Sequence, residues 1–175
     1  MVLRIKDVAV CGLMLLVLRS CLKLAAQGSQ EEPREPVRAL LDCNVILSAI
    51  ISREGPPALI VTAALRQKFE LVLSPAIFAE YQRTADYPKI RKRITFSDQD
   101  LKELWLDILV LALWVAPEAA QHPLVVADPS DDAYLLAAAE SQADFIISGD
   151  RHLLDLGSYE GIPIISPRNF VQKIK

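Results

Sequence analysis

The sequence predicts an α/β fold with a central parallel sheet in a single domain. Short apolar runs typical of buried strands alternate along the chain with stretches in which apolar residues have helical spacing. Such alternation is typical of parallel strands that are joined through helices. The chain has 175 residues, 52% of them apolar, which is enough for one domain with a sizeable core. We expect this domain at residues 37–175, after an N-terminal extension at residues 1–36.

The first half of the predicted domain contains two strands and three helices. Apolar runs indicate the strands, and a recurrence of apolar side chains at helical spacing indicates the helices. Gly55-Pro56-Pro57 separates the first helix from the second. Ser74 followed by Pro75 is typical of an N-cap and the first helical position. In order, the expected elements are strand 37–41, helix 44–51, helix 58–67, strand 71–73 and a helix that runs to about residue 85.

The second half continues the alternation of strands and helices. Residues 97–100, Ser-Asp-Gln-Asp, resemble a capping signal, and apolar residues then recur at helical spacing from Leu101 to Ala112. In order, the expected elements are a helix from residue 101, strand 114–115, helix 133–142, strand 145–147, a helical turn at 152–156, strand 162–165 and a terminal helix after Pro167.

The helix that starts at residue 101 is apolar on more than one face. Leu109, Val110, Leu111 and Leu113 flank its main apolar stripe. One face can pack on the sheet, so the excess predicts burial against a second subunit in a homodimer, or against a partner. The alternative is a helix that lies wholly inside a monomeric core.

The first 36 residues differ in character from the rest. Residues 8–18 form an apolar run that is shorter than the ~20 residues a bilayer span requires. Basic residues before this run fit a signal peptide, but cleavage after Ala26 would place the bulky Leu24 at the −3 position. Residues 27–36 form a polar linker. The segment is therefore expected to be an unstructured or loosely helical extension, or sequence upstream of the true start.

We expect residues 1–36 to be dispensable for folding and activity, and the protein to be cytoplasmic without membrane association. A start at Val37, which a GTG initiation codon would encode, coincides with the beginning of the first predicted strand. The intact mass of the natively expressed protein tests the start at Val37, because a mass that includes residues 1–36 contradicts it.

Charge and cysteine content exclude several classes of protein. The chain has 19 Lys and Arg against 22 Asp and Glu, and the net charge of −3 excludes a nucleic-acid binder that acts through bulk positive charge. Cys11, Cys21 and Cys43 lack Cys-x-x-Cys spacing, so they predict neither a disulfide framework nor a zinc site. A reducing compartment is the expected setting.

Acidic residues follow the predicted strands at positions that suggest a site. Asp42 and Asp150 come directly after strands, Asp132 begins a helix, and Glu80 lies inside one. Ligands of open parallel sheets bind beyond the carboxyl ends of the strands. Clustered carboxylates repel, and a divalent cation offsets that repulsion. Oxygen ligands select Mg²⁺ or Mn²⁺, which can activate water for attack on a phosphate.

Each of these acids also has an ordinary structural interpretation. In that interpretation Asp42 forms the turn at the end of a strand, with Asn44 beside it as a helix cap. Asp131 or Asp132 is an N-cap, Asp150 opens a turn, and Glu80 lies on a solvated helix face. Spacing alone leaves both interpretations open. The metal site is favoured because Asp42 and Asp150 both follow apolar runs directly, with Ser148 two residues before Asp150.

Three segments resemble the motifs of a known family. They are residues 40–49, LLDCNVILSA; residues 128–139, DPSDDAYLLAAA; and residues 145–154, FIISGDRHLL. In order and spacing they resemble the opening, third-acid and closing motifs of PIN domains. The resemblance covers residues 37 to about 171 and is closest to a bacterial subgroup labelled as toxin components of toxin–antitoxin systems.

The resemblance implies a three-layer α/β/α fold and a Mg²⁺- or Mn²⁺-dependent endoribonuclease that cleaves single-stranded RNA. It also implies a homodimer, and an antitoxin protein as partner. The metal-binding and catalytic residues that it implies are Asp42, Glu80, Asp132 and Asp150, supported by Asn44 and Ser148, with Asp128 and Asp131 as competitors of Asp132. Cys43 stands where the family commonly has Thr, so one hydroxyl is missing near the site.

A basic stretch follows the helix that carries Glu80. Lys89, Arg91, Lys92 and Arg93 fall within five residues of an otherwise acidic domain. Such a local patch fits the steering of an RNA backbone toward an acidic metal site. The alternative is a solvated loop between helices.

Two other functions remain open. One is a non-catalytic PIN fold that binds RNA or a protein; retention of the four acids argues against it. The other is a different Mg²⁺-dependent phosphohydrolase on a related sheet. Metal-dependent nicking of a labelled RNA, compared with hydrolysis of a generic phosphomonoester, distinguishes the three.

Overall fold

The structure is a computed structural model that describes residues 36–118 and 131–174, together with the backbone of residues 2–3. Within these residues the chain forms a mostly parallel sheet flanked by helices. The strands are β1 Val2–Leu3, β2 Arg38–Leu41, β3 Glu70–Leu73, β4 Leu113–Val115, β5 Phe145–Ile147, β6 Ser158–Tyr159 and β7 Ile162–Ile165. The predicted α/β class is confirmed.

The helices of the described residues connect these strands. They are α1 Cys43–Ile51, α2 Pro56–Leu65, α3 Pro75–Ala85, α4 Pro88–Arg91, α5 Asp98–Leu111, α6 Asp132–Ser141, α7 Arg151–Leu156 and α8 Pro167–Lys173. In residues 36–118 and 131–174, no single helix is long and apolar enough to cross a membrane. Helices α1 and α2 meet that test only as a pair, and the pair is bent by 101°.

The strand order of the sheet is β1-β4-β3-β2-β5-β7-β6. Strands β4, β3, β2, β5 and β7 are parallel, and the two-residue strands β1 and β6 pair antiparallel at the edges. From β2 the chain proceeds to β3 on one side, whereas β5 lies on the other side. The carboxyl ends of β2 and β5 therefore form a topological switch point, where open α/β sheets bind ligands.

The core lies on the central strands. Ala39, Leu40 and Leu41 of β2 are fully buried, as expected for a parallel sheet covered on both faces. Helix α6 packs on β2, β3 and β5, and the small buried side chains of Ala137 and Ala138 let it approach the sheet closely. Helix α2 packs against α1 and α8.

Local capping residues set several helix starts. Ser74 Oγ accepts from the Ile77 N–H at 3.3 Å, as the Ser-Pro pattern predicts. Ser97 and Asp100 form a capping box, in which each side chain accepts from the backbone N–H of the other. Helix α5 consequently begins at Asp98, three residues before the first predicted helical position. Helix α2 begins at Pro56 because proline is tolerated in a first turn.

Two edge strands were not predicted. Strand β6 forms a hairpin with β7 through Glu160 and Gly161, whose φ angles of 49° and 82° suit a two-residue turn. Strand β1 pairs with Trp114 and Val115 of β4. Residues 4–35 of the predicted N-terminal extension lie outside the described residues, so the domain boundary at residue 37 stays a prediction.

Helix α5 buries one face and exposes apolar side chains on another. Leu101, Leu104 and Ile108 are buried, whereas Leu106 and Val110 are 61% and 64% exposed. Of the predicted apolar excess, Leu109 and Val110 are exposed and Leu111 is half-buried. Leu113 does not belong to the helix: it begins β4 and is buried in the core.

Self-association through this exposed face stays a prediction. Replacing Leu106 and Val110 by Glu is expected to leave the fold intact, because neither side chain is in the core, and to convert a dimer into a monomer. Light scattering across micromolar concentrations measures this difference. A wild-type protein that is strictly monomeric under the same conditions contradicts the prediction.

Candidate active site

Asp42 lies at the carboxyl end of β2 and caps α1. Its N–H donates to the Ile147 carbonyl oxygen at 2.9 Å, which extends the pairing of β2 with β5 by one residue. Its carboxylate accepts from the Asn44 N–H at 3.3 Å, so the acid is the N-cap of the helix. The residue is only 4% exposed. The structural interpretation as a cap therefore holds, but the burial of this carboxylate is unusual for a cap alone.

Ser148 connects Asp42 with Asp150. Its fully buried hydroxyl donates to Asp42 Oδ2 at 2.5 Å and accepts from the Asp150 N–H at 2.8 Å. Asn44 Nδ2 also donates to Asp42 Oδ2, at 3.4 Å. The structure thus brings four of the predicted residues together at the switch point between β2 and β5.

The electrostatic setting of Asp42 favours a cation. Burial raises the pKa of Asp42 above 3.8, and the charge of Asp150 raises it further, whereas hydrogen bonds from Ser148 and Asn44 act in the opposite direction. The net effect raises the pKa, so the ionised form of Asp42 is less favourable in the metal-free protein than in an exposed aspartate. A positive ion beside Asp42 and Asp150 would stabilise the charged form.

Tyr134 joins Glu80 to the same turn. Its hydroxyl donates to Glu80 Oε2 at 2.9 Å and accepts from the Cys43 N–H at 3.2 Å. Burial raises the pKa of Tyr134 well above its ordinary value, so the hydroxyl stays protonated and able to donate. The neighbouring Tyr81 hydroxyl donates to the Leu41 carbonyl oxygen. The Tyr81 hydrogen bond thus joins α3 to the end of β2, and the Tyr134 hydrogen bond joins α6 to the first residue of α1.

These two tyrosines were missed by the sequence analysis. Both are fully or almost fully buried, and both lie next to predicted acids: Tyr81 follows Glu80, and Tyr134 comes two residues after Asp132. A tyrosine inside an apolar helical stretch has a hydroxyl that needs a partner, and this was the available signal.

Cys43 behaves as a small buried side chain. Burial raises the pKa of its thiol to about 12; the charges of Glu80 and Asp42 add to this effect, and a hydrogen bond with Thr84 opposes it. The thiol is therefore protonated at neutral pH. The positive charge of Arg83 also lowers the pKa of Cys43, so a cation lies near Glu80 and Asp42.

Asp132 begins α6 and lines a cavity of about 490 Å³, together with Ser74 and Glu118. Asp131 occupies the N-cap position of α6, but its side chain makes no capping hydrogen bond. Asp128 lies outside the described residues. Which of these three acids completes the site stays a prediction.

The donor chemistry of the site fits a hard cation. Asp42, Asp150 and Glu80 offer carboxylate oxygens, which are the ligands that Mg²⁺ and Mn²⁺ prefer. Among the described residues, however, no group of three His, Cys, Asp or Glu side chains is arranged so that it could hold a metal ion. The structure thus supplies suitable ligands and an acid whose charge needs compensation, and the complete ligand set stays a prediction.

The basic stretch forms a helical turn rather than a loop. Lys89 and Arg91 lie on α4, and Lys92 and Arg93 follow it. Arg91 forms an ion pair with Asp98, so its charge is already compensated. The other three cations form no ion pair within residues 36–118 and 131–174.

Replacing Lys89, Lys92 and Arg93 by Gln is expected to weaken RNA binding and flatten its salt dependence. The slope of log K against log salt is negative, and the loss of three phosphate contacts would reduce its magnitude by about 2. Turnover of bound RNA would change much less. Binding titrations at several salt concentrations measure the slope. Arg91→Gln serves as the control, because its charge is paired with Asp98. An unchanged slope would show that the patch is only a solvated surface.

Comparisons with known proteins agree with this architecture. The chain is 30% identical to the uncharacterized protein MJ1680 of Methanocaldococcus jannaschii over 120 residues. This aligned region covers 69% of this chain and 75% of that protein. The crystal structure of PAE2754 from Pyrobaculum aerophilum is similar in fold, with a TM-score of 0.53 and 16% identity, covering 79% of this chain and 89% of the other. The sequence model of the family described as "PIN domain" matches residues 38–152, which contain both Asp42 and Asp150. The chain therefore belongs to the PIN domain family.

Proposed function

We propose that the protein is a metal-dependent endoribonuclease that hydrolyses phosphodiester bonds in single-stranded RNA. The observation that supports this proposal is the buried Asp42 carboxylate at the switch point, linked through Ser148 to Asp150. A buried acid with a raised pKa beside a second acid is unfavourable for the fold alone, and such groups concentrate at functional sites. Membership of a nuclease family gives this arrangement its chemical interpretation.

The residues of the chain would divide the work as follows. Asp42 and Asp150 would hold Mg²⁺ or Mn²⁺, with Glu80 and one of the acids at the start of α6 completing the ligands. The bound ion would supply a nucleophilic water and neutralise charge on the phosphate. Ser148 and Asn44 fix the orientation of the Asp42 carboxylate, and Tyr134 fixes that of Glu80.

A cleavage assay tests the proposal. Labelled single-stranded RNA is incubated with the full chain in Mg²⁺, in Mn²⁺ and in EDTA, in parallel with p-nitrophenyl phosphate. We expect internal cleavage of RNA in either metal, none in EDTA and little hydrolysis of the phosphomonoester. Full activity in EDTA would exclude the metal mechanism. Binding without cleavage would indicate a non-catalytic module, and preferred hydrolysis of the monoester would indicate another phosphohydrolase.

The motif resemblance further supports a role as a cytoplasmic toxin that a partner antitoxin restrains. Induced expression in a bacterial host is then expected to arrest growth, because cellular RNA would be cleaved. The Asp42→Asn variant, expressed to the same level, should permit growth. Equal growth with both proteins would contradict the toxin role while leaving the nuclease activity open to the cleavage assay.

A further inference from the structure

A cavity of about 420 Å³ opens beside Asp150. Its volume lies in the range typical of small-ligand sites. Asn44 and Ser48 contribute to its wall from α1, where a spacing of four residues places them on the same face of the helix. Because Asn44 also donates to the Asp42 carboxylate, the cavity begins directly at the pair of acids.

Two donor side chains at the start of α7 line the cavity. Arg151 and His152 are both exposed, and in the described part of the chain the Arg151 guanidinium has no ion-pair partner. The backbone N–H of His152 already donates to Asp150 Oδ1 at 2.7 Å. The Arg151 and His152 side chains are therefore the donors available to a ligand. An uncompensated guanidinium in a concave site favours a phosphate, which it can bind through two parallel hydrogen bonds.

The remaining wall of the cavity is apolar. Val45 of α1, Pro57 of α2 and Pro167 of α8 line it. The two prolines are half-buried and lie in the first turns of their helices, so their rings are held by the backbone. Polar and apolar residues share the lining about equally, which suits an organic ligand that has both a charged end and an apolar face.

We propose that this cavity binds one nucleotide of the substrate strand, next to the scissile phosphodiester. Arg151 and His152 bind its phosphate, and its base lies against the apolar wall with the Asn44 amide and Ser48 hydroxyl as polar contacts. This inference rests on the proposed function and adds to it: the enzyme holds the strand on the Asp150 side and has a base preference at one position beside the cleavage site.

Binding of a fluorescein-labelled single-stranded RNA to the full chain in EDTA, measured by anisotropy, tests the inference. The double variant Arg151→Gln/His152→Gln is expected to raise Kd about tenfold, and Ser48→Trp, which fills the cavity, by a similar factor. The control is Arg66→Gln/Lys68→Gln, which removes two exposed cations. They precede β3 and therefore lie at the amino ends of the parallel strands, whereas the cavity lies at the carboxyl ends. We expect less than about twofold change in the control.

A scan with abasic nucleotides locates the bound base. One position is expected to weaken binding to wild type and to have no effect on Ser48→Trp, whose cavity is filled. Equal loss at every position, or cavity variants that bind as wild type does, would overturn the inference while the cleavage assay still stands. Wild type that binds no RNA in EDTA would also overturn the inference, whereas the proposed function is decided by the cleavage assay in Mg²⁺ or Mn²⁺. Thermal unfolding of each variant verifies that it is folded.

Discussion

Asp42→Asn and Asp150→Asn are each expected to reduce metal-dependent RNA cleavage roughly a thousandfold, since a metal ion supplies several kcal/mol of charge stabilisation in the transition state. Asn can keep the capping hydrogen bond of Asp42 because both residues are good N-caps. The loss would therefore report the missing charge rather than an unfolded protein. Turnover of labelled RNA at saturating Mg²⁺ measures it, with the exposed Asp107→Asn as the matched control.

The same substitution at Asp42 is expected to stabilise the metal-free protein at neutral pH. Because the folded-state pKa of Asp42 lies above 3.8, the folded chain binds more protons than the unfolded chain between the two pKa values. The free energy of unfolding therefore falls as pH rises from about 4 through the raised pKa, and then levels off. Asparagine does not titrate, so this loss disappears in the variant.

Thermal unfolding in EDTA at a series of pH values measures this effect. The Tm of Asp42→Asn should exceed that of wild type by an amount that grows as pH rises through the raised pKa and then levels off. Added Mg²⁺ should raise the Tm of wild type more than that of the variant. A variant that is less stable than wild type at neutral pH in EDTA would show that the carboxylate is a net stabilising group without metal.

Tyr134→Phe is expected to lower both stability and turnover. The ring stays buried, but the hydroxyl that joins Glu80 to the Cys43 N–H is lost. Leaving a buried N–H without this partner costs about 1–3 kcal/mol. Because Glu80 loses its hydrogen bond from Tyr134, its carboxylate is less well oriented, and kcat should fall about tenfold or more while the KM for RNA changes little.

Tyr81→Phe is the matched control for this prediction. Tyr81 is equally buried, and its hydroxyl donates to the backbone of Leu41 rather than to an acid. Denaturant unfolding should give comparable losses of stability for the two variants, whereas kcat should fall markedly only for Tyr134→Phe. Equal kcat values for the two variants would show that Tyr134 has a structural role alone.

Much of the fold could be predicted because its signals are local. Strands 145–147 and 162–165 were predicted with their observed bounds, since a short apolar run between turn residues is typical of a buried strand. Ser74 and Ser97 act as caps because a capping hydrogen bond joins residues three apart in sequence. The two-residue edge strands β1 and β6 are too short for any periodicity, and only their pairing partners define them.

The sequence by itself determined the fold class and the placement of Asp42 directly after β2, because strand periodicity and chain order fix which residues leave a parallel sheet at the carboxyl ends of its strands. Asp150 does not follow its strand directly: it lies three residues beyond the end of β5 and is the N-cap of α7. Only the tertiary structure decided which side chains meet there. Ser148 contacts Asp42 across 106 residues, and Tyr134 contacts Glu80 across 54. The position of Asp132 in the wall of the 490 Å³ cavity and the pairing of Arg91 with Asp98 were decided in the same way. Such contacts depend on how helices pack over the sheet, and neither composition nor spacing encodes that packing locally.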